Sequence, residues 1–203
     1  MKLILGRKIG MTTVFEKDSA IPVTILEAGP CFVSQIKTMG KDGYNSVQIA
    51  YGEAKRINKA QSQQLKKAKI NKNLKYFHEF KASKDEKYEG GSEIKVDIFD
   101  GVKSVDITGI SKGHGFSGTT KRHGFSLGPK THGSKNYRKP GSIGSTGPQR
   151  VLKGKKMAGQ YGNKKHTVKK LKLIKTDVEQ NLLYVKGAVP GANNGIVVIK
   201  DNS

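Results

Sequence analysis

The chain has 203 residues, a formal net charge of +22 and an apolar fraction of 34%, well below the roughly 45–50% of typical globular domains. This length suits one domain, with or without an elaborate insertion, and the absence of a run of about eighteen apolar residues argues against a membrane span. The single cysteine, Cys31, excludes an intramolecular disulfide framework and favours a reducing, cytoplasmic compartment; within the apolar run CFVSQI it is expected to be a small core residue.

The near-neutral parts of the chain predict short β-strands separated by turn residues. In chain order these segments are TTVF, IPVTILEAG, CFVSQIKT, NSVQIAYG, SEIKVDIF, KSVDITGIS, VKKLKLIKTD, NLLYVKGAV and GIVVIK. Within SEIKVDIF, the alternation of Ile94, Val96 and Ile98 is typical of a strand with one buried face. Many short strands with few helical stretches favour a mainly β protein, either an antiparallel barrel or a sandwich. A β-barrel body is the preferred prediction because closure removes exposed edges.

Positive charge is concentrated in two stretches that contain no Asp or Glu. Residues 54–78 hold 8 Lys or Arg, residues 107–176 hold 17, and the rest of the chain has a net charge of −3. Blocks of like charge repel one another, so binding of a polyanion would stabilise them. Nucleic acid is the most common polyanion in a cell.

The first basic stretch, residues 54–78, predicts a short basic helical insert in the body, on the evidence of the helix-forming run AKRINKAQSQQLKKAKI. A helical wheel puts its apolar residues on one side and most of its cations on the other. The apolar side consists of Ile57, Ala60, Leu65 and Ala68, and the cations are Arg56, Lys59, Lys66, Lys67 and Lys69. Three interpretations stay open: a surface helix with solvated lysines, a phosphate-contacting helix and a membrane-surface helix.

The second basic stretch has few means of folding alone. From Ser111 to Lys165 there are 12 glycines and 13 Lys or Arg, with too few apolar residues for a separate core, which predicts disorder in the free chain. A structureless segment of this length inside a compact domain is generally functional. We therefore predict a long irregular extension, residues 111–165, called the arm below. It projects from a discontinuous body formed by residues 1–110 and 166–203.

Three His-Gly dipeptides, at His114, His123 and His132, raise the question of metal binding or catalysis in the arm. The arm contains no Cys, Asp or Glu, so these histidines lack the groups that orient metal ligands and catalytic imidazoles. The segment GHGFSG matches G-x-G-x-x-G but is not followed by the apolar helix and acidic residue of a dinucleotide site. The sequence therefore predicts no enzymatic activity, no metal and no cofactor.

Nucleic-acid binding accounts for more of the arm's composition than these alternatives do. Lys and Arg pair with phosphates, and glycines let the backbone approach a crowded surface. The interleaved aromatic rings either stack on unpaired bases or pack on the arm itself. The repeated HGFS at 114–117 and 123–126 predicts two similar turns, each presenting a ring beside a basic residue.

A set of longer motifs covers nearly the entire chain: LGRKIGMTTVF, PVTILEAGPCFVSQIKT, VDITGISKGHGFSGTTKRHGFSLGPKTHGS, PGSIGS, VLKGKKMAGQYGN and LLYVKGAVPGANNG. Together they resemble the large-subunit ribosomal protein L3 family, in its bacterial or organellar branch. The resemblance implies a structural, non-enzymatic protein with a β-barrel body at the surface of the large ribosomal subunit. It further implies direct binding to large-subunit rRNA near its 3′ end, a role in early assembly, and contacts with neighbouring large-subunit proteins. The arm would thread through the rRNA towards the peptidyl transferase centre.

Residue by residue, the matching motifs KRHGF and KGKKMAG place Lys121, Arg122, His123, Lys153, Lys155 and Lys156 along the RNA-buried arm, with residues 140–144 near its tip. The full set of predicted RNA-binding residues is Lys112, His114, Phe116, Lys121, Arg122, His123, Phe125, Lys130, His132, Lys135, Tyr137, Arg138, Lys139, Gly141, Ser142, Gly144, Arg150, Lys153, Lys155, Lys156, Lys164 and Lys165.

One segment departs from the family's pattern. Many bacterial relatives carry a longer segment between PGSIG and KGKKMAG, and some carry a methylated glutamine there. Here the segment is STGPQRVL, and its only glutamine, Gln149, is displaced towards the body. Gln149 is the one candidate modification residue that this segment offers, although it does not align with the methylated position of the relatives.

Composition alone leaves two other functions open. One is an architectural DNA-binding protein, because a content of Lys and Arg does not distinguish RNA, with its 2′-hydroxyl group, from DNA. The other is a nucleic-acid-processing enzyme that uses the arm as a substrate tether, although the acidic residues of the body form no paired motif.

Overall fold

The computed structural model of the chain describes residues 2–16, 19–81 and 88–201. Its strands are β1 (Leu3–Glu16), β2 (Ser19–Ala28), β3 (Cys31–Lys37), β4 (Ser46–Glu53), β5 (Leu74–Phe80), β6 (Glu93–Ile94), β7 (Ser104–Ile110), β8 (Phe116–Ser117), β9 (Gly159–Gln160), β10 (Lys165–Asp177), β11 (Leu182–Lys186) and β12 (Ile196–Asp201). Its helices are α1 (Met39–Asp42), α2 (Lys59–Lys67) and α3 (Thr119–His123), and one 3₁₀ turn covers Val96–Phe99. The prediction of a mainly β protein is confirmed. In the described ranges, no helix is both long and apolar enough to cross a membrane.

The chain divides into two compact units. The first unit consists of Met1–Ile110 and Lys165–Ser203, and the second unit of Ser111–Lys164. The second unit therefore contains the predicted arm without its last residue, because Lys165 begins β10 and pairs with Ile110 of β7.

Six antiparallel strands of the first unit close into a ring in the order β1-β12-β7-β10-β11-β2. Strand β1 is long enough to serve two partners: Leu3–Arg7 pair with β12, while Gly6–Glu16 pair with β2. The pairing with β2 shifts between Lys8 and Gly10, a bulge that bends the strand where the two ladders meet. Because every strand of the ring has two hydrogen-bonded neighbours, the ring has no exposed edge.

A second sheet, in the order β5-β4-β3-β6, packs on the ring through a shared apolar core. Side chains alternate along β4: Val47, Ile49 and Tyr51 belong to the main core, whereas Ala50 contacts the smaller cluster under α2. Cys31 also lies in the main core and is fully buried, which confirms its prediction as a small core residue.

The basic insert differs from the predicted helix in extent. Helix α2 covers only Lys59–Lys67, begins with a capping box between Asn58 and Gln61, and is followed by Lys69 in the left-handed region, with φ of 58°. The chain then forms β5, which pairs with β4. Sequence reasoning missed this strand, because the basic residues of the stretch conceal the buried pair Leu74 and Phe80 at its two ends.

The predicted strand SEIKVDIF is wrong for most of its length. Only Glu93 and Ile94 form a strand, β6, and Val96–Phe99 form the 3₁₀ turn. Val96 and Phe99 are the buried residues of that turn, while Ile98 is half-buried. Val96 and Phe99 are three residues apart, which matches the period of a 3₁₀ helix. The segment can therefore bury apolar side chains either as a strand or as a 3₁₀ turn, and burial of the large Phe99 ring favours the turn.

Candidate nucleic-acid interface

The second unit begins as two chain segments that run out and back beside each other. The amide of Ser111 donates to the carbonyl of Lys164 (2.9 Å), and the amide of His114 donates to the carbonyl of Tyr161 (2.9 Å). Further out, β8 pairs with β9 through Phe116 and Gln160. This short ladder fixes the relative positions of the first and last residues of the unit.

Gly162 allows the two segments to approach each other closely. Its φ is +71°, and a Cβ atom at this position would lie 1.9 Å from the carbonyl oxygen of Lys112. Only glycine meets both conditions, since other residues rarely adopt this φ and would clash with the facing backbone.

Aromatic rings occur on the surface of this ladder. The His114 and Tyr161 rings stack on each other, with centroids 4.9 Å apart and planes 21° apart. Each ring therefore has one face covered by the other, which agrees with the alternative that arm rings pack on the arm. Phe116 is 80% exposed, so its ring is accessible to a stacking partner.

Helix α3 is held by two side chains that bind one carbonyl. The Arg122 Nη1 atom donates to the Met157 carbonyl oxygen (2.7 Å), and His123 Nε2 lies 3.0 Å from the same oxygen. These contacts explain why Arg122 and His123 are half-buried, whereas Lys121 in the same helix is exposed. The KRH triplet therefore combines two anchoring residues with one outward cation.

The two HGFS repeats adopt different local structures. In the first, Phe116 and Ser117 form β8; in the second, His123 ends α3 and Gly124 is its C-cap. What they share is a left-handed glycine, with φ of 64° at Gly115 and 70° at Gly124. The prediction of two similar turns therefore holds for the glycine alone.

Further along the unit, the ring of Tyr137 has two cationic side chains close to it. Lys130 Nζ lies 5.4 Å from the Tyr137 ring centroid, and the Arg138 guanidinium lies 5.5 Å from it. Tyr137 also accepts, through its carbonyl, the amide of Gly128 (3.0 Å), which closes this loop. A ring with nearby cations offers stacking and charge at one point of the chain.

Burial distinguishes this unit most clearly from the first. Between Ser111 and Lys164, the buried residues are Ser117 and Thr119, and no apolar side chain is buried. Of the predicted RNA-binding residues, Arg122, His123, Phe125 and Tyr137 are half-buried and all the others are exposed. Lys165 lies in β10 of the first unit, and Gln149 is exposed.

A metal site is not formed by the residues that the structure describes. Within 2–16, 19–81 and 88–201, no three His, Cys, Asp or Glu side chains come together as a ligand group. His123 makes its contact with a backbone carbonyl, and His114 stacks on a tyrosine.

Several titratable groups of the first unit have shifted pKa values with structural causes. Burial raises the pKa of the Cys31 thiol to about 12, which keeps the thiol protonated and unreactive. Burial lowers the pKa of His78, and the nearby charge of Lys165 lowers it further. The hydrogen bond from Lys37 lowers the pKa of Glu79; these groups form a surface ion pair with an N–O distance of 2.5 Å.

Comparison with known proteins identifies the family. The family model described as Ribosomal protein L3 matches residues 84–180. The "Large ribosomal subunit protein uL3" of Thermosipho melanesiensis is 53% identical over 201 residues, which cover 98% of both chains. The chain belongs to the ribosomal protein L3 family. The protein of the same name from Carboxydothermus hydrogenoformans is 49% identical, and the alignment covers 98% of this chain and 97% of that protein. The one from Heliobacterium modesticaldum is 48% identical, with coverages of 99% and 97%.

Membership of the L3 family agrees with the resemblance found in the motifs, and the family model spans the whole second unit. Sequence reasoning missed two structural contacts there: the Met157 carbonyl as the anchor of α3, and Tyr161 as the partner of His114. No side-chain pattern marks a backbone acceptor. The ring pair, in contrast, is suggested by the similar distances of His114 and Tyr161 from the two ends of the arm.

Proposed function

We propose that the chain is a structural constituent of the large ribosomal subunit that binds large-subunit rRNA directly through its arm, residues 111–165. The observation that carries this proposal is the absence of any buried apolar side chain from Ser111 to Lys164, in a segment with twelve Lys or Arg and no acid. Neither a core nor internal ion pairs can hold such a segment in one shape. A surrounding polyanion would supply the missing stabilisation.

The mechanism is charge neutralisation combined with close backbone approach. Cations from Lys112 to Lys165 reduce the repulsion between RNA helices where they converge, and the glycine-rich backbone occupies the space between them. Phe116 supplies an accessible ring for an unpaired base. The predicted RNA-binding residues and the candidate modification residue, Gln149, belong to this proposal.

The remaining parts of the proposal follow from family membership. The body, residues 1–110 and 166–203, serves as a β-barrel domain at the surface of the subunit, beside neighbouring large-subunit proteins. The arm extends towards the peptidyl transferase centre, and binding occurs early in assembly. The protein acts in the cytoplasm, within the ribosome, as a structural rather than catalytic component.

The test is the salt dependence of rRNA binding by the full chain. If about eight arm cations contact phosphates, the logarithm of affinity falls against the logarithm of salt concentration with a slope of about −6 to −7. The variant Lys153→Gln/Lys155→Gln/Lys156→Gln should reduce the steepness of that slope by about 2 to 3.

A matched control removes three charges outside both acid-free stretches, in Lys41→Gln/Lys95→Gln/Lys200→Gln. Each of these lysines has an acidic residue within two positions in the sequence, so the slope should change little. A slope near −1 for the unmodified chain would refute the mechanism. Equal affinity for duplex DNA in competition would support an architectural DNA-binding protein instead.

A further inference from the structure

A groove on the first unit combines aromatic rings with cations. Its cavity has a volume of about 530 Å³, within the range of small-ligand sites. Phe32, Tyr51 and Tyr76 line it, together with Lys72 and Lys75. Lys72 Nζ lies 5.1 Å from the Phe32 ring centroid, and Lys75 Nζ lies 5.0 Å from that of Tyr76.

The strands fix the position of each ring in the groove. Tyr51 of β4 is directly opposite Tyr76 of β5 in the ladder. Gly52, the next residue of β4, has a φ of +73°, and a Cβ atom there would lie 3.2 Å from the Tyr76 ring. The absence of a side chain at Gly52 therefore lets the Tyr76 ring lie against the backbone of β4. Phe32 is held by its contact with the apolar cluster under α2.

The charge of the groove favours an anionic ligand with a flat ring. One of its acids, Glu27, is neutralised by Arg7, whose Nη2 lies 2.6 Å from its Oε2. Lys72 and Lys75 are exposed at the rim, and the remaining acid, Glu53, is a hydrogen-bond acceptor of the kind that reads exocyclic amino groups of bases. A nucleotide matches this arrangement, because it has an aromatic base beside a phosphate.

A second cavity extends the basic surface along α2. It is lined by Arg56, Lys59 and Lys66, with Asn73 at its side. Asn73 lies in the sequence between Lys72 and Leu74, which both line the first groove. Consecutive residues of one short segment thus line both cavities, and neither Asp nor Glu occurs between residues 54 and 78. A surface that carries several cations and no acid in this stretch favours contact with the phosphates of a nucleic-acid strand.

We propose that this groove binds an unpaired nucleotide of the RNA, with the base stacked on Tyr76 or Phe32 and the flanking phosphates on Lys72, Lys75 and the α2 cations. This inference rests on the proposed rRNA-binding function and adds a second, preformed site on the body. It assigns the phosphate-contacting interpretation to the basic insert.

The lysines do not block the ring faces against a base. An exposed cation–π contact is weaker than the stacking of a base on an aromatic ring. Lysine side chains have flexible stems and both of these are exposed, so each ammonium group can move from the ring to the incoming phosphate. One nucleotide then pairs its phosphate with the ammonium group and stacks its base on the aromatic ring.

The experiment uses the full chain with large-subunit rRNA that contains 4-thiouridine, followed by mapping of the photo-crosslinked peptides and nucleotides. We expect crosslinks to peptides that contain Phe32 or Tyr76, from nucleotides that are unpaired in the rRNA, in addition to crosslinks in the arm. Lys72→Gln/Lys75→Gln should abolish the body crosslinks, retain those of the arm and reduce the salt slope by about 1 to 2. Tyr76→Leu should lower the affinity by about 10-fold without changing the slope.

The control variant is Lys41→Gln/Lys95→Gln, which removes the same charge and should retain both sets of crosslinks. Thermal unfolding verifies that each variant keeps its body folded. Crosslinks in the arm alone would overturn the groove and leave the proposed function standing, whereas no crosslink at either place would refute both. In assembled subunits, a protein crosslinked to Lys72 or Lys75 with no RNA contact there would show that the groove binds a protein.

Discussion

Replacing residues 112–163 by a four-residue Gly-Ser-Asn-Gly linker should leave a stable body. The ends of the removed segment are already neighbours, because the amide of Ser111 donates to the Lys164 carbonyl at 2.9 Å. The next pair along the ladder, Ile110 and Lys165, joins β7 to β10 as antiparallel strands. The linker therefore converts the two strands into an ordinary hairpin.

The expected change in stability can be worked out from loop entropy and burial. No side chain of residues 112–163 belongs to either apolar cluster of the first unit, so the deletion removes no hydrophobic stabilisation from these cores. Shortening a flexible connection from 52 residues to four lowers the cost of closing it by (3/2)RT ln 13, which is about 2 kcal/mol. For a body of this size, that gain raises Tm by about 4–8 °C.

Calorimetry of the free full-length and shortened chains measures this difference, and filter binding measures affinity for large-subunit rRNA. We expect one cooperative transition at a higher temperature in the shortened chain and a loss of affinity of at least about 100-fold. A shortened chain that unfolds without cooperativity, or with a Tm lowered by several degrees, would refute the idea that the body is independent of the arm.

Two further predictions concern the base of the arm and the second sheet. Gly162→Ala should reduce rRNA affinity by about 10-fold with an unchanged Tm of the body, because it combines a left-handed φ with a clash against the Lys112 carbonyl. The matched control is Gly118→Ala, where no atom lies within 4 Å of the added Cβ. Equal effects of the two changes on affinity would contradict this role of Gly162. Since burial lowers the pKa of His78, the unfolded state binds more protons near pH 6, and the free energy of unfolding should fall as the pH is lowered through 6.5. Urea unfolding of His78→Gln should show a flatter dependence in that range, and an unchanged profile would exclude His78 as the cause.

The body could be predicted from sequence wherever one local pattern had one solution. The alternation and β-branched residues of IPVTILEAG, CFVSQIKT and NSVQIAYG correspond to β2, β3 and β4. The pattern failed where long-range packing decided between alternatives. Phe99 selects a 3₁₀ turn in place of a strand, and pairing with β4 makes LKYFHEF a strand although it follows a lysine-rich helix.

The candidate interface was predictable in composition and only partly in geometry. The acid-free, glycine-rich stretch between Ser111 and Lys165 is apparent from the printed sequence, and so are its cations. The anchoring of Arg122 and His123 on one backbone carbonyl has no counterpart in side-chain pattern. The groove of the first unit was equally hidden, because Phe32, Lys72 and Tyr76 are brought together by the β3-β4-β5 pairing.

The two basic surfaces differ in what binding must supply. In the proposed groove, Tyr76 is held on paired strands and Phe32 packs on the cluster under α2, so a nucleotide would meet rings that have already lost much of their conformational entropy. In the second unit, where no apolar side chain is buried, the RNA must also supply the free energy of ordering the chain. Binding at the groove therefore needs fewer phosphate contacts and should depend less steeply on salt than binding by the arm. On this reasoning we expect the body to bind first at high salt, and the arm to become ordered only as the salt concentration falls or as the RNA closes around it.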